Sequence, residues 1–391
     1  MPVSWRTREN TSATKSRVCV GLSGGVDSAL SAALLKKAGH DVVGVFIRIA
    51  LPGYPCAAGE DKVWAQRAAA HLKIPFVEVD LSQEYRARVF ELSMREFSEG
   101  RTPNPDALCN REIKFGLFFD WCMAQGADRV ATGHYAQTKD GLLYVGADEE
   151  KDQSYFLTLV PQEKLKRTLF PVGHLRKSRV RALAKSLGLP NAARPDSQGL
   201  CFLGNVSMAD MLARELALVP GDVLGESGEV VGRHRGAPFY TMGQRHGFEL
   251  FASKSHTLPH YVIAKNLKSN TITVSSERFP RGAKETIVEL KDINWIGDAP
   301  GGPCMARYRY RGALIPASLK DGRVALREPH YIPEGQTLAL YEGARCAGGG
   351  IIAGAWPSSS PSPTGRRNRL TNASSSRPSS VPAPKGASPR G

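Results

Sequence analysis

The 391-residue chain has no apolar run long enough to span a bilayer and no signal-peptide h-region, so a cytoplasmic protein without a membrane segment is expected. It has no Cys-x-x-Cys pair. Its seven cysteines (Cys19, Cys56, Cys109, Cys122, Cys201, Cys304 and Cys346) are odd in number and widely spaced. That pattern argues against a disulfide scaffold, a zinc knuckle and an iron–sulfur cluster, and suits a reducing compartment. His71, His174 and His260 have no neighbours at metal-ligand spacing, so no metal cluster is expected from the protein. Acid is missing from the end of the chain. From Pro357 onward the sequence is rich in Pro and Ser and carries Arg366, Arg367, Arg369, Arg377, Lys385 and Arg390 with no Asp or Glu. Residues 1–17 are also basic, with Arg6, Arg8, Lys15 and Arg17 against Glu9. Much of the formal charge of +15 therefore sits at the two ends, which are too polar to offset ordering entropy and are expected to be disordered. The excess charge points to a polyanionic partner.

Also absent is the Walker pattern with its lysine, yet a glycine-rich turn stands where a strand gives way to a helix. Gly21-Leu22-Ser23-Gly24-Gly25-Val26-Asp27-Ser28 follows the apolar run Val18–Val20 and precedes the helix-like Ala29–Ala38. A strand, a glycine-rich turn and an opening helix make an anion cradle, because backbone N–H groups converge at the positive end of the helix. Ser23 and Ser28 add hydroxyl donors, and Asp27 is placed to hold a magnesium–phosphate complex. No Lys-Ser or Lys-Thr follows the glycines, so γ-phosphate transfer of the Walker kind is not implied. Ser-Gly-Gly-Val-Asp-Ser resembles instead the PP-loop of ATP pyrophosphatases, which grip the pyrophosphate and adenylate a carbonyl oxygen.

From 18 to about 135 apolar runs alternate with helical patterns. Asp41–Ile49, Pro75–Val79 and Arg129–Thr132 read as strands, and Glu60–Leu72 and Asn110–Gln125 as helices. That alternation predicts an α/β domain with a doubly wound parallel sheet and the ligand at the carboxyl ends of its strands. Residues 150–215 read as mainly helical, with Ser178 as a capping signal. From Pro220 the texture is β, with turn signals at Ser227-Gly228 and Asp321-Gly322. The expected organisation is a disordered 1–17, a catalytic domain over 18–215, a small central β-rich domain over 216–282, a β-barrel-like domain over 283–355 and a basic tail over 356–391. Trp64 and Trp121 fall on helices and are expected in the core. Arg176–Arg181 is either an RNA-facing basic patch or a solvated helix face.

Two thiols stand in loop-like contexts. In Arg101-Thr102-Pro103-Asn104-Pro105-Asp106-Ala107-Leu108-Cys109-Asn110, the prolines predict a rigid extended segment delivering Asp106 and Cys109 just ahead of a helix capped by Asn110. A thiol at a helix N-terminus is biased toward thiolate, although taken alone a rigid turn with a half-buried structural cysteine is the stronger reading. Cys201 lies in Asp196-Ser197-Gln198-Gly199-Leu200-Cys201, where Gly199 permits an exposed sulfur; a buried cysteine beside Phe202 is the alternative. Behind a pyrophosphatase motif, a cysteine pair suits sulfur relay, one carrying a persulfide and the other resolving it. Cys56 is read as structural.

With these motifs, Ala131-Thr132-Gly133-His134-Tyr135-Ala136, Lys151-Asp152-Gln153-Ser154-Tyr155-Phe156, Phe239–Arg245 and Ala306–Tyr310 in one order, residues 18 to about 353 are similar to the tRNA-specific 2-thiouridylase family. The resemblance implies a PP-loop domain, a small central domain and a C-terminal β-barrel-like domain. It implies that Gly21, Leu22, Ser23, Gly24, Gly25, Val26, Asp27 and Ser28 hold ATP with its Mg2+, that the backbone of Ile47 meets adenine, and that Gly133 closes the pocket. Cys201 would carry the persulfide, with Cys109 as its transient disulfide partner and Asp106 as acid–base group. Asn104, Pro105 and Asp106 would face the target base, and His134, Lys151, Asp152, Gln153, Arg307, Tyr308 and Gln336 would touch tRNA. The implied activity is ATP-dependent 2-thiolation of the wobble uridine, by a monomeric enzyme supplied with sulfur by a relay protein or a cysteine desulfurase. An ATP-dependent amidotransferase and a tRNA-binding protein with a vestigial nucleotide fold are the alternatives. Neither needs the cysteine pair.

Overall fold

A computed structural model describes residues 15–54, 58–196, 207–216, 218–251 and 258–358. Cys56, Cys201, the Cys109–Cys201 pairing and nearly all of the basic tail lie outside the described residues. The N-terminal part is built on a parallel sheet of β1 (Arg17–Gly21), β2 (Asp41–Arg48), β3 (Phe76–Asp80), β4 (Arg129–Ala131) and β7 (Thr168–Leu169), in the order β3-β2-β1-β4-β7. Val18 and Val20 are completely buried and so is Val45, as expected of strands covered on both faces. α1 (Val26–Lys37) and α2 (Ala58–His71) connect the first three strands. The strand order reverses at β1, which opens a crevice at its carboxyl end, where the glycine-rich turn lies. β1 begins at Arg17, whose amide is held by Asp128 at 2.7 Å, so the expected disordered extension stops short of that residue.

Three local expectations are corrected. Asn104, not Asn110, caps the helix: its side chain accepts from the Ala107 amide at 3.1 Å and Pro105 occupies the first helical position. The helix therefore begins five residues before Asn110, which is buried and donates to the Phe156 carbonyl at 3.2 Å. It runs without a break through Ala124, with a π-helical stretch over Asn110–Leu117. Ser178 caps nothing. The helix Lys177–Ser186 starts one residue earlier, and Asp148 from another loop accepts from the Lys177 amide at 2.8 Å. Trp64 is not core either: it donates to Glu60 at 3.2 Å and lies half-buried beneath the guanidinium groups of Arg67 and Arg194.

The chain then builds a five-stranded sheet over residues 221–275, whose core is Val223, Ala237, Tyr240, Val262, Ile272 and Val274. Six further strands, from Thr286–Trp295 to Arg345–Pro357, close a barrel through pairing of its first and last strands. The last strand reaches Pro357, beyond the expected limit of 355, because Ala355, Trp356 and Pro357 still pair with Val288, Ile287 and Thr286. The barrel sheet does not end with its own strands. The hairpin β5 (Ala136–Lys139) and β6 (Leu142–Val145), from the N-terminal part, is added to it where Arg345 and Cys346 pair with Tyr144 and Leu143. Leu143, Tyr155, Leu157, Ala339, Tyr341 and Cys346 bury themselves in one shared core.

Candidate functional site

The glycine-rich turn has the geometry of an anion cradle. Gly24 has φ +80°, and a Cβ there would lie 2.5 Å from the Asp61 carbonyl oxygen, so both the turn and its packing require glycine. Gly25 precedes α1 in extended conformation and no side chain caps the helix, which leaves its first N–H groups available. The turn is tied internally: the Ser23 amide donates to Ser28 Oγ at 3.1 Å, and the two serine hydroxyls lie 3.2 Å apart. Asn191, completely buried, donates to the carbonyls of Gly24 and Gly25 at 3.1 Å each. Gly133 packs against the start of α1, where a Cβ would lie 2.7 Å from the Ser28 nitrogen. Val26 and Leu22 are buried in the core, as is the side chain of Ile47 near the carboxyl end of β2. Only backbone atoms of those three residues can face a ligand in the crevice.

Over the cradle sits a charged cluster. Lys177 Nζ lies 2.8 Å from both carboxylate oxygens of Asp27 and 2.9 Å from Asp196 Oδ1. Asp196 also accepts from Arg181 at 2.6 Å and from Lys151 at 2.9 Å. Burial alone would raise the Asp196 carboxyl, but the hydrogen bonds from Lys151 and Lys177 hold it well below the usual range, so it is a carboxylate. Burial and the Asp27 charge push the Tyr135 phenol up, and as a fixed donor it bonds Asp27 at 2.7 Å.

A second site lies where the three parts of the chain meet. A cavity of about 580 Å3 is lined by Asn104, Pro105 and Asp106, by Tyr155, by Arg235 and Thr241 of the central domain, and by Arg309 and Gln336 of the barrel. Its size suits a base with its sugar. The Thr102 amide donates to the Glu334 carbonyl at 2.7 Å, and the Thr102 and Thr241 hydroxyls are 3.1 Å apart. The segment is thus fixed from both neighbouring domains. Cys109, one helical turn beyond Asp106, is completely buried among Leu108, Ile113, Phe118 and Leu212 rather than carried on an exposed loop.

The residues assigned to tRNA divide by burial. Gln336, Tyr308, Arg307 and Lys151 are partly exposed. Asp152 is buried and accepts from Gly146, from Ser154 and, at 3.3 Å, from Arg307, which it orients. Gln153 accepts from the Tyr135 amide at 2.9 Å. His134 is buried between Phe115 and Phe170, bonded to Thr132 at 2.7 Å; burial and the nearby Lys114 keep it neutral. At His134 and Asp152 the side chain faces inward, while Gln153 is partly exposed like the first four.

Sequence reasoning missed Lys177, Asn191 and Arg309. Only Lys177 had a signal: with Arg181 it forms an i,i+4 pair on one helix face, inside the stretch read as RNA-facing or solvated. That face turns toward the cradle. Among the described residues, no group of three or more His, Cys, Asp or Glu side chains could hold a metal ion, and no helix is long and apolar enough to cross a membrane.

Comparison with known proteins matches the chain in three stretches. Residues 16–205 fit a tRNA methyl transferase HUP domain, 209–276 a tRNA methyl transferase PRC-barrel domain, and 285–352 an aminomethyltransferase β-barrel domain. The chain is 40% identical over 357 residues to the tRNA-specific 2-thiouridylase MnmA of Enterococcus faecalis, covering 87% of this chain and 96% of that one. It is 41% identical over 370 residues to the protein of the same name from Verminephrobacter eiseniae, covering 88% of this chain and all of that one. With that similarity running through all three domains, the chain belongs to the tRNA-specific 2-thiouridylase family.

Proposed function

We propose that the protein replaces O2 of the wobble uridine of tRNA with sulfur at the expense of ATP. The observation that supports this most is the pairing of two sites in one family member: an uncapped, glycine-rich helix start, and a base-sized cavity lined by Asn104, Pro105 and Asp106. The domain descriptions name methyl transfer and the relatives name thiolation. The cradle favours the second, because hydroxyls and helix N–H groups at a tight turn recognise phosphate rather than a methyl donor.

In this reading ATP lies with its adenine against the backbone near Ile47 and its phosphates over Gly21–Ser28. Asp27, Ser23 and Ser28 are hard oxygen donors that fit Mg2+, which supplies charge neutralisation on the phosphates. The uridine leaves its stack and enters the cavity, as any reaction at O2 requires. Uridine O2 attacks the α-phosphorus, and the bond to pyrophosphate breaks. Sulfur from the Cys201 persulfide then adds at C2 and AMP leaves with the former O2. In the direct route the outer sulfur of the persulfide bonds to C2 as AMP leaves, and Cys109 then attacks the Cys201 sulfur of that adduct, breaking the S–S bond, leaving the sulfur on C2 and forming the Cys109–Cys201 disulfide, which an external thiol reduces. Alternatively, Cys109 attacks the inner sulfur of Cys201, forming the Cys109–Cys201 disulfide and releasing hydrosulfide, after which an external thiol reduces the disulfide. Asp106, one turn before Cys109, serves as the proton acceptor in this reading. The persulfide arrives from a sulfur-carrying donor protein.

The test is nucleoside mass spectrometry of unmodified tRNA incubated with the protein, Mg-ATP and a persulfide donor, beside the Cys201→Ser variant. Thiouridine from the wild type and none from the variant is the expected result. Pyrophosphate release without thiouridine would overturn the sulfur step, and methylated uridine would support the other reading.

A further inference from the structure

The glycine-rich turn lacks the lysine with which Walker loops meet the phosphates, and Val26-Asp27-Ser28 stands in its place. A cation is nevertheless at the turn. Lys177 comes from a helix 150 residues further along, and its ammonium lies 2.8 Å from both oxygens of Asp27, the second residue of α1. Its side chain is only 14% exposed, so it is held in place rather than left in solvent. The helix that carries it is fixed by Asp148 on its first amide and by Arg181, which donates to the carbonyls of Ala192 and Arg194. The cluster holds more cations than acids: Lys177 bridges Asp27 and Asp196, while Asp196 also has Arg181 and Lys151. Asp27 likewise keeps the Tyr135 hydroxyl. Lys177 can therefore turn from Asp27 to an arriving phosphate without leaving either carboxylate unbonded.

We propose that Lys177 is the pyrophosphate-binding lysine of this loop, supplied by a separate helix of the same chain, and that it holds the β- and γ-phosphates of ATP and the departing pyrophosphate. This rests on the nucleotide reading given above. The specificity follows from the chemistry. Lysine meets phosphate as a point charge with three donors, so it favours a ligand with the terminal phosphates over one with the α-phosphate alone.

The test is equilibrium binding of Mg-ATP, inorganic pyrophosphate and AMP to the full-length protein by calorimetry, without tRNA or sulfur donor. Lys177→Met is expected to weaken ATP and pyrophosphate about 10- to 100-fold and to leave AMP within about 2-fold. Lys177→Arg is expected to recover most of the loss. Because Lys177→Met also bares the Asp27 charge, the double variant Asp27→Asn/Lys177→Met separates contact from neutralisation. A loss in the double variant relative to Asp27→Asn alone supports the contact, and a pyrophosphate affinity in it equal to that of Asp27→Asn alone overturns the proposal. Equal weakening of AMP and pyrophosphate, or none of either, also overturns it. If Lys177→Met does not fold by thermal melting, Lys177→Gln carries the same comparison. A wild type that binds ATP but makes no thiouridine defeats the thiolation reading alone; one that binds no ATP defeats both.

Discussion

Gln336 Nε2 donates to the carbonyl of Pro103 at 3.0 Å across 233 residues of sequence, and its Oε1 accepts from the Tyr155 hydroxyl at 3.3 Å. One barrel side chain thus holds the residue that precedes the Asn104–Asp106 segment, and Gln336 is at once a cavity wall and a brace. Gln336→Ala is expected to lower kcat/KM for tRNA about 10-fold, the effect of losing one or two hydrogen bonds. The affinity for ATP should stay the same, since the phosphate cradle is built from other residues. Steady-state thiolation with tRNA varied, beside ATP binding, checks both halves. An equal loss in ATP affinity would show that the brace is not local.

Asn104 supplies the cap on which Asp106 depends. Removing it in Asn104→Ala is expected to cost about 1 kcal/mol of stability, the usual worth of an N-cap. Thiolation should fall by more than that loss explains, because the first helical turn carries Asp106 into the cavity. Urea unfolding and turnover at saturating ATP measure the two effects. Activity that tracks stability alone would reduce Asn104 to a structural cap.

Gly133→Ala places a methyl group 2.7 Å from the Ser28 nitrogen and 2.8 Å from the Asp27 carbonyl carbon. Those are backbone atoms of α1, which cannot rotate away. The expected result is a displaced cradle, with ATP binding lost and stability lowered by about 1–3 kcal/mol. Calorimetry with Mg-ATP and a urea melt decide. An alanine variant that binds ATP normally would mean that the start of α1 is pliable.

Lys265 gives a pH test. Burial pulls its ammonium down to about 8 from 10.5, even with Glu334 opposing the shift, and its Nζ donates to the Tyr240 carbonyl at 2.7 Å. Between those two values the unfolded chain binds more protons than the folded one, so stability rises with pH across that window. Below about pH 8 the full burial penalty remains. Lys265→Met is therefore expected to stabilise the protein at pH 7 by on the order of 2 kcal/mol, net of the lost hydrogen bond. The gain should fade by about pH 10. Urea melts at pH 7 and 9.5 test it, and a gain that does not depend on pH would contradict the cause.

Whatever is written in neighbouring residues was legible in the sequence. The strand, the glycine turn and the opening of α1 announce themselves within a dozen positions, and the shift to β texture after Pro220 marks the two later sheets. Errors arose wherever a side chain answers to a distant partner. Asn110 and Ser178 both carry capping chemistry. Neither is needed, because Asn104 had already started one helix and Asp148, from another loop, had capped the other. Lys177 looked like surface because the carboxylates that hold it, Asp27 and Asp196, are far away in sequence or hidden behind a turn. His134 and Asp152 look like recognition residues in a motif and are buried in the fold.

The hairpin β5–β6 carries a consequence for how the chain is made. It leaves the ribosome about 200 residues before the barrel strand it pairs with, an interval of ~10–40 s at ordinary elongation rates. Through that time Leu143, destined for a completely buried place beside Cys346, has no barrel to enter, and the outer edge of β6 stands open. The catalytic domain is therefore unfinished until the barrel has been made. Its last piece of core is delivered by a strand about 200 residues further along the same polypeptide, and a nascent chain stalled before the barrel has an unsatisfied edge for chaperones to cover.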